Sequence, residues 1–210
     1  MPGFRKETER KMSLLLHICC APCSIACIDT LRASGIEPYG YWFNPNIHPY
    51  TEYRMRKNTL IDYAKSIDLR LDLNDDYGLR PFVKAVAEDI DGRCSTCYSM
   101  RMDEAARYAA EHGFSQFTST LFISPYQNHE LLKVTAENAA RQYGIEFFYQ
   151  DFRPYFRAGQ DRARELGLYM QKYCGCIFSE EDRYLAAKRR KKAMREAKLA
   201  EQMNGAISEG

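Results

Sequence analysis

The sequence has little that would place it in a membrane or among nucleotide-dependent enzymes. No apolar run is long enough to span a bilayer. Residues 1–12 are polar and charged and do not read as a secretory signal, so we expect a cytoplasmic protein with no membrane partner. The motif G-x-G-x-x-G is absent, which argues against flavin or nicotinamide binding. The four histidines lack the regular spacing of metal ligands, and most are expected to be structural or exposed.

The overall charge is also small, at +2, and does not by itself indicate a nucleic-acid partner. Its distribution is uneven, because residues 183–198 carry Arg183, Arg195, Lys198 and the continuous run Lys188–Lys192. A basic helix of this kind can follow a phosphate backbone. The alternative is a solvated terminal helix with frayed, charged ends.

Cysteine, by contrast, is plentiful. Seven of the eight cysteines fall into three tight groups, and only Cys27 stands apart. In a reducing cytosol, clustered cysteines are more often metal ligands or catalytic thiols than structural disulfides. The grouping therefore predicts a metal or redox centre.

The first group, Cys19-Cys20-Ala21-Pro22-Cys23, follows the apolar run Leu14–Ile18. The run predicts a buried strand, and Pro22 is suited to open a helix. The thiols would then lie at the carboxyl end of a strand and at a helix amino terminus, where ligands bind and thiolates are stabilised. The alternative is a set of apolar core cysteines, which we expect for Cys27.

The other two groups have different spacings. Cys94-x-x-Cys97 has the spacing of zinc and iron–sulfur ligands, and the flanking Arg93 and Arg101 would stabilise thiolates or an anionic cluster. A structural zinc site is the alternative. Cys174-Gly-Cys176 could form a strained, reducible disulfide, supply a further metal ligand, or be an incidental pair in a loop.

Helical patterns alternate with short strand patterns along the chain, and three of the helices are followed by a glycine. This order predicts an α/β sandwich of three layers around a mainly parallel sheet. We expect helices at 24–34, 52–66, 100–112, 130–143 and 179–203, and strands at 14–18, 39–43, 69–73, 116–120 and 145–149. Residues 13–184 are expected to form one domain, 185–203 a basic helical extension and 204–210 a disordered tail.

Two loops that follow predicted strands would reach the same sheet edge as the first cysteine group. They supply candidate substrate contacts from polar and aromatic side chains. The candidates are Asn44, Asn46, His48, Ser124 and Tyr126. Ordinary turn chemistry explains the asparagines and prolines of these loops equally well.

Five motifs together resemble the QueH-type epoxyqueuosine reductases: HICCAPC, FNPNIHP, RCSTCYSMRM, TSTLFISPYQN and YCGCIFSEEDR. The resemblance covers residues 14–184. It implies reduction of the epoxide of epoxyqueuosine to the alkene of queuosine at the wobble position of tRNA. It also implies a [4Fe–4S] cluster with an additional iron, an external electron donor, and a fold similar to the nucleotide α-hydrolase (HUP-like) type. No cobalamin motif is apparent, so a cobalamin-independent route is expected.

The resemblance assigns roles to the three cysteine groups. Cys19, Cys20, Cys94 and Cys97 would hold the cluster, Cys174 and Cys176 would form the redox-active pair, and Cys23 would act with them in catalysis. An alternative gives one of the two adjacent cysteines, one of the Cys174–Cys176 pair, and Cys23 to a second iron. Two other functions stay open: a tRNA sulfurtransferase, which needs a phosphate loop that is not present, and an RNA-binding iron–sulfur sensor.

Overall fold

A computed structural model describes residues 14–208, without the side chains of residues 187 and 198–208. Two compact units divide the chain, and the second begins at Gln171. Among the described residues, no helix combines the length and the apolar character that crossing a bilayer requires.

The first unit contains a five-stranded parallel sheet. Its strands are β1 (Leu14–His17), β2 (Pro38–Trp42), β3 (Leu71–Leu73), β4 (Gln116–Ser119) and β5 (Glu146–Phe147). They lie in the order β3-β2-β1-β4-β5, so β1 is the central strand, with Leu14 opposite Pro38 on one side and Gln116 on the other. All four residues of β1 are buried, as expected for an apolar strand covered on both faces.

Helices connect the strands and cover the sheet. They are α1 (Ala21–Ala33), α2 (Tyr50–Ser66), α3 (Leu79–Val86), α4 (Arg93–Glu111), α5 (His129–Tyr143) and α6 (Phe156–Glu165). α1 packs against α6, and α4 packs against α5. The predicted three-layer α/β architecture with a parallel sheet is therefore confirmed, whereas the likeness to the nucleotide α-hydrolase fold stays a prediction.

The strand order has a consequence for function. The chain winds outwards from β1 to β3 in one direction and then continues with β4 on the other side of β1. Open α/β sheets bind ligands outside the carboxyl ends of the strands at such a reversal. The crevice expected here lies between the ends of β1 and β4, directly at the first cysteine group.

The predicted carboxyl ends of α1, α2, α4 and α5 agree with the structure to within one residue, whereas α4 begins at Arg93 and not at the predicted residue 100. Gly35, Gly113 and Gly144 each follow a helix and adopt φ values of 65–76°, a left-handed conformation that favours glycine. β5 is shorter than expected, and α3 and α6 were not predicted.

The second unit contains one long helix, α7 (Ile177–Ser208). It includes the predicted helix 179–203 and continues into the segment expected to be disordered. Residues 209–210 lie outside the described part of the chain, and the predicted boundary at residue 185 stays a prediction.

Candidate metal centre

Three cysteine sulfurs meet where β1 ends and α1 begins. The Sγ atoms of Cys19, Cys20 and Cys23 all lie within 4.8 Å of one another, and all three residues are buried. Thiolates are soft ligands that select iron–sulfur clusters, zinc or Cu(I). The chain therefore offers a three-sulfur ligand set at the sheet edge where the topology favours ligand binding.

The start of α1 explains why two of these side chains approach each other. Cys20 is the N-cap residue in an extended conformation, and Cys23 is the third helical residue. Side chains at these two positions face each other at a helix start, as they do in a capping box. Pro22 fits between them because its missing N–H would have no partner inside the first helical turn.

Thr120, the residue after β4, fixes Cys19 from the neighbouring strand. The Cys19 N–H donates to Thr120 Oγ1 (3.1 Å), and the Thr120 hydroxyl donates to Cys19 Sγ (3.3 Å). Sequence reasoning missed this role, since it placed Thr120 only at the end of a strand. The signal that could have found it is the hydroxyl residue at the end of the strand that neighbours β1.

The three thiols have unequal proton affinities. Hydrogen bonds from Cys20 and Cys23, followed by the positive charge of Arg101, hold the pKa of Cys19 well below its usual range. Burial raises the pKa of Cys20, and hydrogen bonds with Cys19 and Cys20 raise that of Cys23. Of the three thiols, Cys19 is therefore the one whose surroundings most favour the thiolate form.

His17, the last residue of β1, is fully buried and holds three segments together. Its Nε2–H donates to the carbonyl oxygen of Phe43 (3.0 Å), so Nδ1 accepts from the Ser119 hydroxyl (2.8 Å). Burial and then the charge of Arg101 lower the pKa of His17 to about 3, so the ring is neutral. This histidine is structural, as expected.

The second cysteine pair opens α4. Cys94 is exposed and Cys97 is buried, one turn further along the helix. α4 leads into β4, so it runs opposite to the parallel strands and starts at their carboxyl edge. The pair therefore lies at the same edge as the first group, although neither of its sulfurs belongs to the group of three that lie within 4.8 Å of one another. The buried guanidinium of Arg101 lies beside Cys97, with Nη1 3.8 Å from Cys97 Sγ.

The third pair lies in the second unit, directly before α7. Cys174 is exposed and Cys176 is buried, and the Ser179 N–H donates to Cys176 Sγ (3.3 Å). The Ser179 hydroxyl also donates to the carbonyl oxygen of Cys176 (2.7 Å). No disulfide joins any of the eight cysteines in the structure, and the redox role of the pair stays a prediction.

The candidate substrate residues differ in accessibility. Asn44 is buried, and its amide donates to Ile18 O (2.9 Å) while its Oδ1 accepts from Arg101 (2.7 Å). His48 is buried too, 3.0 Å from the carbonyl oxygen of Pro45, and burial lowers its pKa to about 4. Asn46 is also buried, but its Oδ1 accepts no hydrogen bond from the described residues.

The loop after β4 is more open. Tyr126 is 85% exposed, and its N–H donates to the half-buried Ser124 hydroxyl (3.3 Å). Tyr98, the neighbour of Cys97 on α4, anchors this loop by donating to Gln127 Oε1 (2.7 Å) and accepting from the Asn128 N–H (3.1 Å). Of the five candidates, Ser124 and Tyr126 are the ones with open surface, and Asn46 has unused hydrogen-bonding capacity. The substrate roles of all five stay predictions.

Comparison with known proteins identifies the family. The family model for "Epoxyqueuosine reductase QueH" matches residues 14–182, which include all eight cysteines. The chain belongs to the QueH family. Relatives with the same name include proteins from Dehalococcoides mccartyi (37% identical, covering 81% of this chain and 94% of the relative) and Haemophilus influenzae (38%, covering 80% and 72%). A third relative, from Thermotoga maritima, is 31% identical, and the match covers 80% of this chain and 90% of the relative.

The match to the QueH family ends at Asp182, the sixth residue of α7. The strand, the helices and the loops that form the candidate metal centre therefore all lie within the family region. The basic run Lys188–Lys192 lies beyond it.

Proposed function

We propose that this oxidoreductase reduces epoxyqueuosine to queuosine at the wobble position of tRNA, the last step of queuosine biosynthesis. The observation that carries the proposal is the group of three buried cysteine sulfurs at the switch point of the sheet, in a chain of the QueH family. In relatives of this fold that bind nucleotides, the same turn holds a glycine-rich phosphate loop. Sulfur donors in its place favour metal-based redox chemistry over nucleotide hydrolysis. We place the reaction in the cytoplasm.

The cofactor in this proposal is a [4Fe–4S] cluster held by Cys19, Cys20, Cys94 and Cys97. Two features support it: the donors are soft thiolates, and both cysteine groups lie at helix amino termini, which favour negative charge. Cys23 is the third sulfur of the first group and is left to act in catalysis or to bind an additional iron. A cluster bound by these cysteines would supply electrons one at a time, and an additional iron held by Cys23 would supply Lewis-acid polarisation of the epoxide.

The reaction consumes two electrons and two protons, because the epoxide becomes an alkene and its oxygen leaves as water. The protein's own residues position the substrate and exclude solvent. We assign substrate contacts to Asn46, whose buried Oδ1 can accept a hydrogen bond, and to Ser124 and Tyr126 on the opposite loop. Cys174 and Cys176 form the redox-active pair that relays electrons from an external donor, and no cobalamin takes part.

Anaerobic purification tests the proposal directly. The protein should contain about four iron and four sulfide per chain and show broad visible absorption that oxygen bleaches. Given a chemical reductant, it should convert epoxyqueuosine-containing tRNA to queuosine-containing tRNA. Stoichiometric zinc without sulfide would favour the structural zinc site. A cluster with RNA binding but no turnover would favour the sensor.

The basic part of α7 is proposed to bind the tRNA backbone. Lys188, Lys191 and Arg195 share one exposed face of the helix, since they are three and four residues apart. Arg189 is already paired with Glu181 (2.9 Å), and Lys192 approaches Glu196 (3.7 Å). Among the described residues, none forms an ion pair with Lys188, Lys191 or Arg195, so this face is available for phosphates.

We expect replacement of all five residues 188–192 by glutamine to flatten the salt dependence of tRNA affinity. Each lost phosphate contact should reduce the slope of log K against log salt by roughly 0.7–0.9. Filter binding or fluorescence anisotropy across a salt series measures this slope. Glutamine at Arg162 and Arg164, exposed and ion-paired on α6, is the matched control. An unchanged slope in the five-residue variant would leave α7 as a solvated helix.

A further inference from the structure

A buried arginine connects the second cysteine pair to the first. Arg101 is 2% exposed and lies one helical turn after Cys97 on α4, with Nη1 3.8 Å from the sulfur. Its Nη2 donates to Asn44 Oδ1 at 2.7 Å. A guanidinium keeps its charge at any physiological pH. The interior of this unit therefore contains a permanent positive charge in contact with a proposed metal ligand.

Asn44 holds this guanidinium in a fixed place. The asparagine is completely buried in the loop after β2, and its amide group donates to the carbonyl oxygen of Ile18 at 2.9 Å. Ile18 precedes Cys19 in the chain and donates its own N–H to Tyr41 of β2 (2.8 Å). A continuous set of contacts thus runs from the end of β1 through Asn44 and Arg101 to Cys97.

Arg101 also adjoins the segment that carries the first cysteine group. Its hydrogen-bond partner Asn44 donates to the carbonyl oxygen of Ile18, the residue directly before Cys19. Buried charges are poorly screened by salt, so the charge of Arg101 acts on its surroundings at physiological ionic strength. The guanidinium is therefore in contact with one cysteine group and one hydrogen-bonded residue away from the chain segment of the other.

We propose that Arg101, positioned by Asn44, is the built-in counter-charge of the metal–thiolate centre and raises its reduction potential. The inference rests on the proposed function, since it needs a redox-active cluster at these cysteines. Reduction adds one negative charge to the cluster. A fixed cation stabilises the reduced state more than the oxidised state, and so makes electron uptake easier. In this role Arg101 acts through the charge of the metal centre and not through a contact with the substrate.

The test is a redox titration of anaerobically prepared holoenzyme, followed by electron paramagnetic resonance. We expect Arg101→Gln to keep its iron and sulfide but to lower the equilibrium constant for one-electron reduction at least tenfold, which is a shift of about 59 mV to more negative potential. Arg101→Lys keeps the charge, so its midpoint potential should shift less than half as far. The midpoint potential of Asn44→Ala should shift in the same direction as that of Arg101→Gln, but by a smaller amount.

Arg107→Gln is the matched control, because Arg107 lies on the same helix but is exposed and paired with Glu104 and Glu111. The midpoint reduction potential of this variant should equal that of wild type. An iron-replete Arg101→Gln protein with the wild-type midpoint potential would overturn the proposal. Loss of iron from both Arg101 variants would also overturn it, because it would show that the role of Arg101 is purely structural. Wild-type protein that has no redox-active iron would instead overturn the proposed function, and this inference with it.

Discussion

Replacing Cys20 with alanine is expected to remove the cluster and to reduce reductase activity below about a hundredth of wild type. Cys20 is buried at the start of α1, and its sulfur belongs to the group of three that lies within 4.8 Å. Alanine offers no ligand at that position, and Cys23 could replace the lost sulfur only by leaving the role that the proposal gives it. Cys94→Ala and Cys97→Ala should have the same effect, because each removes a proposed ligand.

Cys27→Ala is the matched control for this series. Cys27 lies on the same helix, one turn after Cys23, and its sulfur donates to the carbonyl oxygen of Cys23 (3.3 Å) without joining the group of three. Its replacement should retain full iron and sulfide with a small loss of thermal stability. Iron and sulfide analysis with circular dichroism separates ligand loss from unfolding. Full iron content in Cys20→Ala, or iron loss in Cys27→Ala, would contradict the assignment.

The double variant Cys174→Ser, Cys176→Ser is expected to keep its cluster and to lose sustained turnover. A pair separated by one residue forms a strained, reducible bond, and we propose that it relays electrons without holding the cluster. The visible spectrum should therefore equal that of wild type. Conversion of epoxyqueuosine-tRNA should stop after at most one cycle, even when the cluster is reduced beforehand.

Ser179→Ala provides the local control for this pair. It removes the hydroxyl that donates to the carbonyl oxygen of Cys176 but leaves both thiols in place, so it should turn over repeatedly. Multiple-turnover and single-turnover assays on the same preparations separate the two behaviours. Iron loss in proportion to activity in the double serine variant would make these cysteines ligands. The arrangement with a second iron and Cys23 would then be preferred.

The sequence was sufficient to predict the local features of the fold. The apolar run before Cys19 predicted the central strand, and glycines after three helices marked their ends because a left-handed residue is needed there. α6 was missed because Gly159 interrupts a highly charged segment. In the structure Gly159 packs against α1, where a Cβ would lie 3.1 Å from Ala26 Cβ, so the glycine permits close helix packing.

The candidate site was harder to predict, because its contacts join distant parts of the chain. Asn44 and Arg101 are 57 residues apart in sequence, and no local pattern indicates that one binds the other. Polar residues in a loop look alike whether they face a substrate or hold the loop in place. Burial, which follows from tertiary packing, distinguishes the enclosed Asn44 from the open Tyr126.

The position of Cys19, Cys20 and Cys23 within five consecutive residues has a consequence for biosynthesis. Neighbours in sequence meet at almost no cost in chain entropy, so the first sulfur group assembles as soon as α1 forms. The chain is synthesised from its amino terminus, so α4 with Cys94 and Cys97 emerges from the ribosome much later than the first sulfur group. Until β2 and β4 cover the central strand, the three thiols face solvent. The nascent chain is therefore the stage at which oxygen and competing metals have the most direct access to them.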